Sequence, residues 1–230
     1  MGFYSGMRTK LGVALVNVIR TRHGVAVFYH DKVRRNELDL IAQVRQERRL
    51  LLSDQEALQI MMFTRRTSKI EGDIAEVGTY KGASSKLIAE ARGESDRDIY
   101  LFDTFEGLPE LQEVDRTLFY EQQYGADFDD VSDYLSGYPR VHIYKGIFPS
   151  SSGPIKEKKF SFVHLDVDLY EGTKESLEFF YPRMNKGGVI ISHDYLSAPG
   201  VRKAVDEFMA DKPEAIFESS WRQCFIVKGS

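Results

Sequence analysis

The chain has a single cysteine, Cys224, in 230 residues. One thiol excludes an internal disulfide framework and any cluster of thiolate metal ligands. It suits a reducing compartment, and a cytoplasmic location is expected. Long apolar runs are also missing. The longest near the N-terminus is LGVALVNVI, Leu11 to Ile19. A membrane-spanning helix needs ~20 apolar residues, so no transmembrane segment is expected. Arg8, Lys10 and Arg20 flank this run, but no small-residue cleavage site follows it, so a signal peptide is not expected either. There is no internal repeat and no low-complexity segment. The G-x-G-x-x-G fingerprint is absent, which argues against a nicotinamide oxidoreductase.

What is present is ordinary globular composition with an uneven charge. Residues 1–50 hold ten Lys or Arg and four Asp or Glu, a net of +6. The whole chain carries −4, so the remainder carries −10. A basic arm on an acidic body can cover that body, meet a neighbouring subunit or simply present a solvated helical face. A homo-oligomer is expected, and a nucleic-acid partner is not.

Helical spacing predicts helices over Leu11–Arg22 and Asp31–Leu52, with Leu38, Ile41 and Val44 in the apolar stripe. Ser53-Asp54-Gln55-Glu56 is a capping box for a helix from Asp54 to about Thr67, its core face being Ala57, Ile60, Met61 and Thr64. From there strands and helices alternate. Strands are predicted at Asp73–Val77, Ile99–Phe102, Val141–Tyr144, Phe160–Leu165 and Val189–Ser192. Helices are predicted at Ala83–Ala91, Glu171–Tyr181 and Gly200–Ala210. The acidic, aromatic stretch Thr117–Leu135 is expected to be helical in parts. Pro182 and Lys186-Gly187-Gly188 read as the stop that ends the Glu171–Tyr181 helix before the next strand. AIFES and WRQCFIVK read as two closing strands. This alternation predicts a doubly wound, mostly parallel α/β sheet of seven strands flanked by helices. Residues 1–52 are expected to be an appended helical extension and residues 53–230 the main domain.

Three constellations carry chemistry. In GDIAEVGTYKGASSKLIAE, Gly72 to Glu90, a strand leads into a G-x-x-x-G turn at Gly78 and Gly82. Glycines permit a tight turn and close backbone approach to a ligand. Glu76 precedes the turn, and an acid there suits a cationic ligand such as S-adenosylmethionine better than a pyrophosphate. The alternative is a plain βα turn. In IYLFDTFEGLPE, Asp103 ends the second strand, where a carboxylate is placed to accept ribose hydroxyls. Phe105 is open to two readings, packing on an adenine or ribose and packing in the core.

The third constellation is FSFVHLDVDLYEGTKE, Phe160 to Glu175, with a later unit ending His193-Asp194-Tyr195. Asp166 and Asp168 fall where a buried strand ends, at the edge that faces the ligand crevice in a parallel sheet. Only one of the two acids is expected to reach the crevice directly, with Asp166 better placed because it lies at the first turn beyond the apolar run. Asp166, His193 and Asp194 offer oxygen, nitrogen and oxygen ligands for one divalent ion. Carboxylates suit Mg²⁺ or Mn²⁺, and an imidazole suits later transition metals. The same three side chains can instead form a metal-free hydrogen-bonded network, with His193 as a base.

With these residues in view, the chain resembles the macrocin O-methyltransferase family, the TylF/MycF/NovP type. The resemblance runs from roughly Ser53 to Val227. It rests on EVGTYKGASS, LFDTFEGLP, YKGIFP and HLDVDLYEGTKESLEFFYPRMNKGGVIISHDY. It implies a Rossmann-like class I methyltransferase that transfers a methyl group from S-adenosylmethionine to a sugar hydroxyl of a natural product or glycan. By that resemblance the cofactor lies against Glu76, Gly78, Tyr80, Gly82, Ser84 and Asp103. A divalent metal, Mg²⁺ or another ion, lies at Asp166 and the pair ending the fifth strand. Asp166 then serves as general base or as a ligand that relays the proton. One departure is visible. The sugar enzymes of this type tend to carry two acids in the last pair, where this chain has His193-Asp194. The acceptor is expected to be a small molecule or a glycan.

Overall fold

A computed structural model describes residues 34–219 and 221–229. The helix expected over Leu11–Arg22 and the start of the one expected over Asp31–Leu52 lie outside the described residues. Two helices come first, α1 (Arg35–Glu47) and α2 (Asp54–Arg66). Then follow β1 (Asp73–Val77), α3 (Ala83–Arg92), β2 (Ile99–Asp103), α4 (Phe128–Leu135), β3 (Val141–Lys145) and β4 (Phe160–Leu165). The chain closes with α5 (Tyr170–Phe180), β5 (Met184–Ser192), α6 (Pro199–Met209), β6 (Ile216–Glu218) and β7 (Cys224–Val227).

The strands form one sheet in the order β3-β2-β1-β4-β5-β7-β6. β1 through β5 pair in parallel, and β7 runs antiparallel to both β5 and β6. The order reverses between β1 and β4, and a parallel sheet opens its ligand crevice beside such a switch point.

Strand alternation sorts the core into two layers. Ile74, Leu101, Phe162 and Ile191 pack with Ile60 and Met61 of α2 and Leu87 and Ile88 of α3. Ala75, Phe102, Val163 and Ile190 turn the other way, with Leu177 and Phe180 of α5 and Val201 and Val205 of α6. Phe160, Phe162 and Phe180 are fully buried, and burying such a side chain is worth about 1.5–3 kcal/mol. Ile41 and Val44 of α1, with Leu50 and Leu52 after it, belong to the first layer. The capping box at Ser53 and Glu56 is present, and Ala57, Ile60, Met61 and Thr64 are buried as their spacing requires.

Two local expectations change. The helix expected over Asp31–Leu52 ends at Glu47, so Leu50 and Leu52 lie beyond it. Lys186-Gly187-Gly188 does not separate helix from strand but lies inside β5. Pro182 does mark the helix end: α5 stops at Phe180, and a short turn at Tyr181–Arg183 follows. The β4–β5 register jumps from Phe160↔Met184 to Phe162↔Val189, so the glycines form an excursion of β5. Gly187 takes φ +82°, which a side chain disfavours. Thr117–Leu135 is helical in part, as expected: Phe128–Leu135 is α-helical, capped by Asp127, whose side chain accepts from Asp130 N–H. Among the described residues no helix is long and apolar enough to cross a membrane.

Candidate active site

The site lies at the carboxyl ends of β1, β2, β4 and β5, around a cavity of about 420 Å³. One end is built by the turns after β1 and β2. Gly78 has φ +94°, and a Cβ there would sit 1.8 Å from the Asp166 carbonyl oxygen. The backbone after β1 therefore crosses directly against the end of β4, and only glycine allows it. Tyr80 follows with a positive φ of 48°. Asp103 ties the two turns together. Its oxygens accept the Tyr80 and Phe105 backbone N–H groups, each at 2.7 Å. Burial pushes the Asp103 carboxyl up, against the pull of those N–H groups.

Gly78, Tyr80, Ser84 and Asp103 all line this end of the cavity. The other three residues expected at the cofactor stand behind the wall. Glu76 is fully buried on the α3 side. Its carboxylate accepts from Ser85 Oγ and lies 2.9 Å from His164 Nδ1. Gly82 is the N-terminal cap of α3 at φ +79°, facing Val131 and Tyr134 of α4. Phe105 is buried edge-on against Phe128, at a centroid distance of 5.2 Å.

At the other end β4 stops at Leu165, and the Asp166 N–H still bonds to Val77 O at 2.8 Å. The chain then leaves the sheet, with Asp168 at φ +62°. Asp166 and Asp168 both line the cavity, where only one was expected. Strand side chains return to the same face every second residue, so strand geometry gives no reason for the two to diverge. At the end of β5, the His193 N–H bonds to Leu165 O at 2.8 Å, which fixes the neighbouring tip. His193 Nδ1 lies 3.0 Å from Asp166 Oδ1 and 2.8 Å from Asp194 Oδ2. The three residues expected together are together, with one ligand atom from each lying within 4.8 Å of the others.

Two further charged residues complete this end. Arg222, in the connection from β6 to β7, donates from Nη1 to Asp194 Oδ1 at 3.3 Å and from Nε to Glu56 Oε1 at 3.1 Å. Glu56, fully buried, lies 3.3 Å from His193 Nε2. Sequence reasoning treated Glu56 as a helix cap alone and passed over Arg222. One signal was available: Glu56 lies on the same face as Ile60 and Thr64, and a carboxylate on an apolar stripe needs a partner. Tyr124, whose ring meets Tyr80 edge-on at 5.9 Å, also lines the cavity and was not anticipated.

The electrostatics follow from crowding. Four carboxylates, Glu56, Asp166, Asp168 and Asp194, surround two basic groups, His193 and Arg222. Burial alone would lower His193. The charge of Asp166 and the close carboxylates of Asp194 and Glu56 outweigh it and hold the imidazole well above its usual range. Burial pushes Asp168 well up, reinforced by the charges of Asp166 and Asp194. Burial would raise Asp194 too, but His193, Ser197 and Arg222 hold it low. Glu56 is likewise pulled down to about 2 against burial by His193, Arg222 and the Ser53 N–H. This acid excess is what a bound cation would neutralise. The donor set fits one: neighbouring ligands about an ion with ~2.1 Å bonds stand ~3 Å apart, the spacing of His193 Nδ1 from its two carboxylates.

A seven-stranded, mostly parallel sheet closed by an antiparallel strand and flanked by helices is the Rossmann-like methyltransferase fold. Residues 48–217 match the model of the macrocin O-methyltransferase (TylF) family, and the chain belongs to that family. Among curated relatives, a tetracenomycin-type rhamnosyl 4′-O-methyltransferase of Streptomyces olivaceus is 28% identical over 165 residues, 66% of this chain and 63% of that one. Demethyldecarbamoylnovobiocin O-methyltransferase of Streptomyces niveus is 27% identical over 157 residues, 62% of this chain and 60% of its own length. The chain thus spans about three-fifths of these relatives. Among solved structures, the O-methyltransferase NovP superposes with a TM-score of 0.69 at 22% identity, covering 79% of this chain and 82% of its own. At that identity the superposition speaks for the fold.

Proposed function

We propose that this protein transfers a methyl group from S-adenosylmethionine to a sugar hydroxyl of a natural product or glycan, assisted by a divalent metal ion. The observation that carries the reading is the single cavity. It joins the turns at Gly78 and Asp103 to the cluster of Asp166, His193 and Asp194. A cofactor seated at the first end presents its methyl group toward an acceptor at the second. Asp103 receives the ribose hydroxyls on the lone pairs that Tyr80 and Phe105 leave free. Gly78 lets the backbone approach, and Ser84, at the start of α3, faces the same space.

The acceptor hydroxyl is a poor nucleophile while it keeps its proton. Asp166 takes that proton, the oxygen attacks the methyl carbon, and the carbon–sulfur bond breaks to release a neutral thioether. Holding oxygen, carbon and sulfur in line can supply up to ~7–11 kcal/mol. Asp166, His193 and Asp194 would hold the metal, which lowers the pKa of a bound hydroxyl and orients it. The relatives' sugar substrates favour a glycosidic acceptor, and Tyr124 offers it an aromatic face. A metal-free route with His193 as base is the rival.

The test is a methyl-transfer assay with isotopically labelled S-adenosylmethionine and a panel of deoxysugar-bearing acceptors, run before and after chelation. Transfer that is lost on chelation and restored by Mg²⁺ or Mn²⁺ supports the reading. Transfer indifferent to chelator, but lost in His193→Ala, transfers the role to the metal-free base.

A further inference from the structure

Glu56 does more than cap a helix. Its two oxygens divide between two tasks. Oε2 accepts from the Ser53 backbone N–H at 2.7 Å and from Ser53 Oγ at 2.8 Å, which completes the capping box of α2. Oε1 turns toward the site and lies 3.3 Å from His193 Nε2. A surface glutamate would cap the helix equally well, because the cap uses one oxygen and needs no burial. This glutamate is fully buried, as is nearly all of His193.

The two nitrogens of His193 have different surroundings. Nδ1 faces Asp166 and Asp194. Nε2 is buried, faces Glu56 Oε1 and lacks the alignment of a finished hydrogen bond. Arg222 locks the arrangement from outside. Its Nε and Nη2 grip the two oxygens of Glu56 at 3.1 and 3.2 Å, its Nη1 reaches Asp194, and Nη2 also donates to Leu51 O at 3.2 Å. One guanidinium thus fixes the group behind His193 and the carboxylate beside it.

An imidazole can hold a metal only through a deprotonated nitrogen, and the partner of the other nitrogen decides which one that is. A carboxylate behind the ring takes the remaining N–H, fixes the ring's orientation and makes the ligating nitrogen more basic. We infer that Glu56 is a positioning residue for the cation site: it takes the Nε2–H of His193, turns the Nδ1 lone pair toward Asp166 and Asp194, and is itself held by Arg222. The inference rests on the metal reading above and extends it to the start of α2. It also gives the imidazole in place of a second acid a consequence. A carboxylate-backed nitrogen ligand favours Mn²⁺, Co²⁺ or Zn²⁺ over Mg²⁺.

The experiment is titration of the full chain with Co²⁺ alone, followed by visible absorption and calorimetry, and repeated with Mg²⁺. The variants are Glu56→Gln, Glu56→Ala and His193→Asn. Glutamine serves a capping box as well as glutamate does. Glu56→Gln therefore keeps the helix start and removes the charge that faces both His193 and Arg222. It is expected to weaken Co²⁺ binding ~10-fold, and Glu56→Ala up to ~100-fold, the range for partners behind a metal ligand. Mg²⁺ binding should change less than Co²⁺ binding. Circular dichroism and S-adenosylhomocysteine binding report whether each variant is folded. A folded Glu56→Gln variant with a Co²⁺ affinity within twofold of the parent overturns the positioning role and leaves the metal reading standing. If the parent takes up no Co²⁺, or His193→Asn takes it up equally well, the metal reading fails and this inference fails with it.

Discussion

His193 Nδ1 lies 3.0 Å from Asp166 Oδ1 across the tips of two neighbouring parallel strands. The pair is set by β4–β5 register, which places Leu165 beside Ser192 and so brings the next residue of each strand together. Main-chain hydrogen bonds from Asp166 N–H to Val77 O and from His193 N–H to Leu165 O hold both tips. The site is thus a product of the sheet, with the loops adding Arg222 and Tyr124.

Replacing Asp166 tests its place in the chemistry. Asp166→Asn keeps the shape but removes the charge and the basic oxygen. Methyl transfer should fall by ~10²–10⁴, the usual worth of a general base, while S-adenosylmethionine binding changes little. Steady-state kinetics with calorimetry check this. Retention of most of the rate would remove Asp166 from the proton path.

Asp103 is expected to bind the cofactor. Asp103→Ala removes an acceptor and also frees the Tyr80 and Phe105 N–H groups that shape both turns. Binding of S-adenosylmethionine should weaken by ~1–3 kcal/mol. Unchanged affinity by calorimetry would refute the ribose assignment.

Most of the fold was legible from periodicity. β1 and β4 fall where apolar alternation ends against Gly78 and Asp166, and the capping box marks the start of α2. The glycines of β5 misled, because Gly-Gly after a helix looks the same whether the chain stops or bulges. In the site, Asp166, His193 and Asp194 were legible as polar tips on apolar strands. Asp168 belongs with them, since residues two apart share one face of a strand. Glu56 and Arg222 meet across 166 positions of sequence, and no local pattern encodes that contact.

Gly78→Ala tests how tightly β1 and β4 cross. A Cβ would overlap the Asp166 carbonyl, in a backbone conformation that side chains disfavour. The two turns must separate, so stability should drop by more than the ~1 kcal/mol of an ordinary glycine exchange, and cofactor binding should weaken as well. Thermal unfolding and calorimetry read both. A variant as stable and as tight-binding as the parent would contradict this geometry.

Away from the site, Glu214 makes acid stability predictable. Burial would raise its carboxyl, but bonds from the Tyr181 hydroxyl, the Gly229 N–H and Lys228 hold it at about 2. An unfolded glutamate titrates near ~4.3. The folded value is depressed, so this stabilisation is complete above the unfolded value and is lost as pH falls through the folded one. Glu214→Gln should cost ~1.5–3 kcal/mol near neutral pH. The gap between parent and variant should close as the pH falls from about 4 to about 2, read from denaturant midpoints. A gap that stays constant over that range would contradict the assignment.

The central claim is that Asp166, His193 and Asp194 hold one divalent ion beside the transferred methyl group. The most direct measurement is a crystal of the full chain grown with S-adenosylhomocysteine and Mn²⁺, with anomalous data collected at the manganese edge. The account predicts one anomalous peak within bonding distance of Asp166, His193 and Asp194, with the cofactor's sulfur facing it across the cavity. A crystal with the cofactor bound, no manganese at the cluster and His193 still hydrogen-bonded to both carboxylates would contradict it.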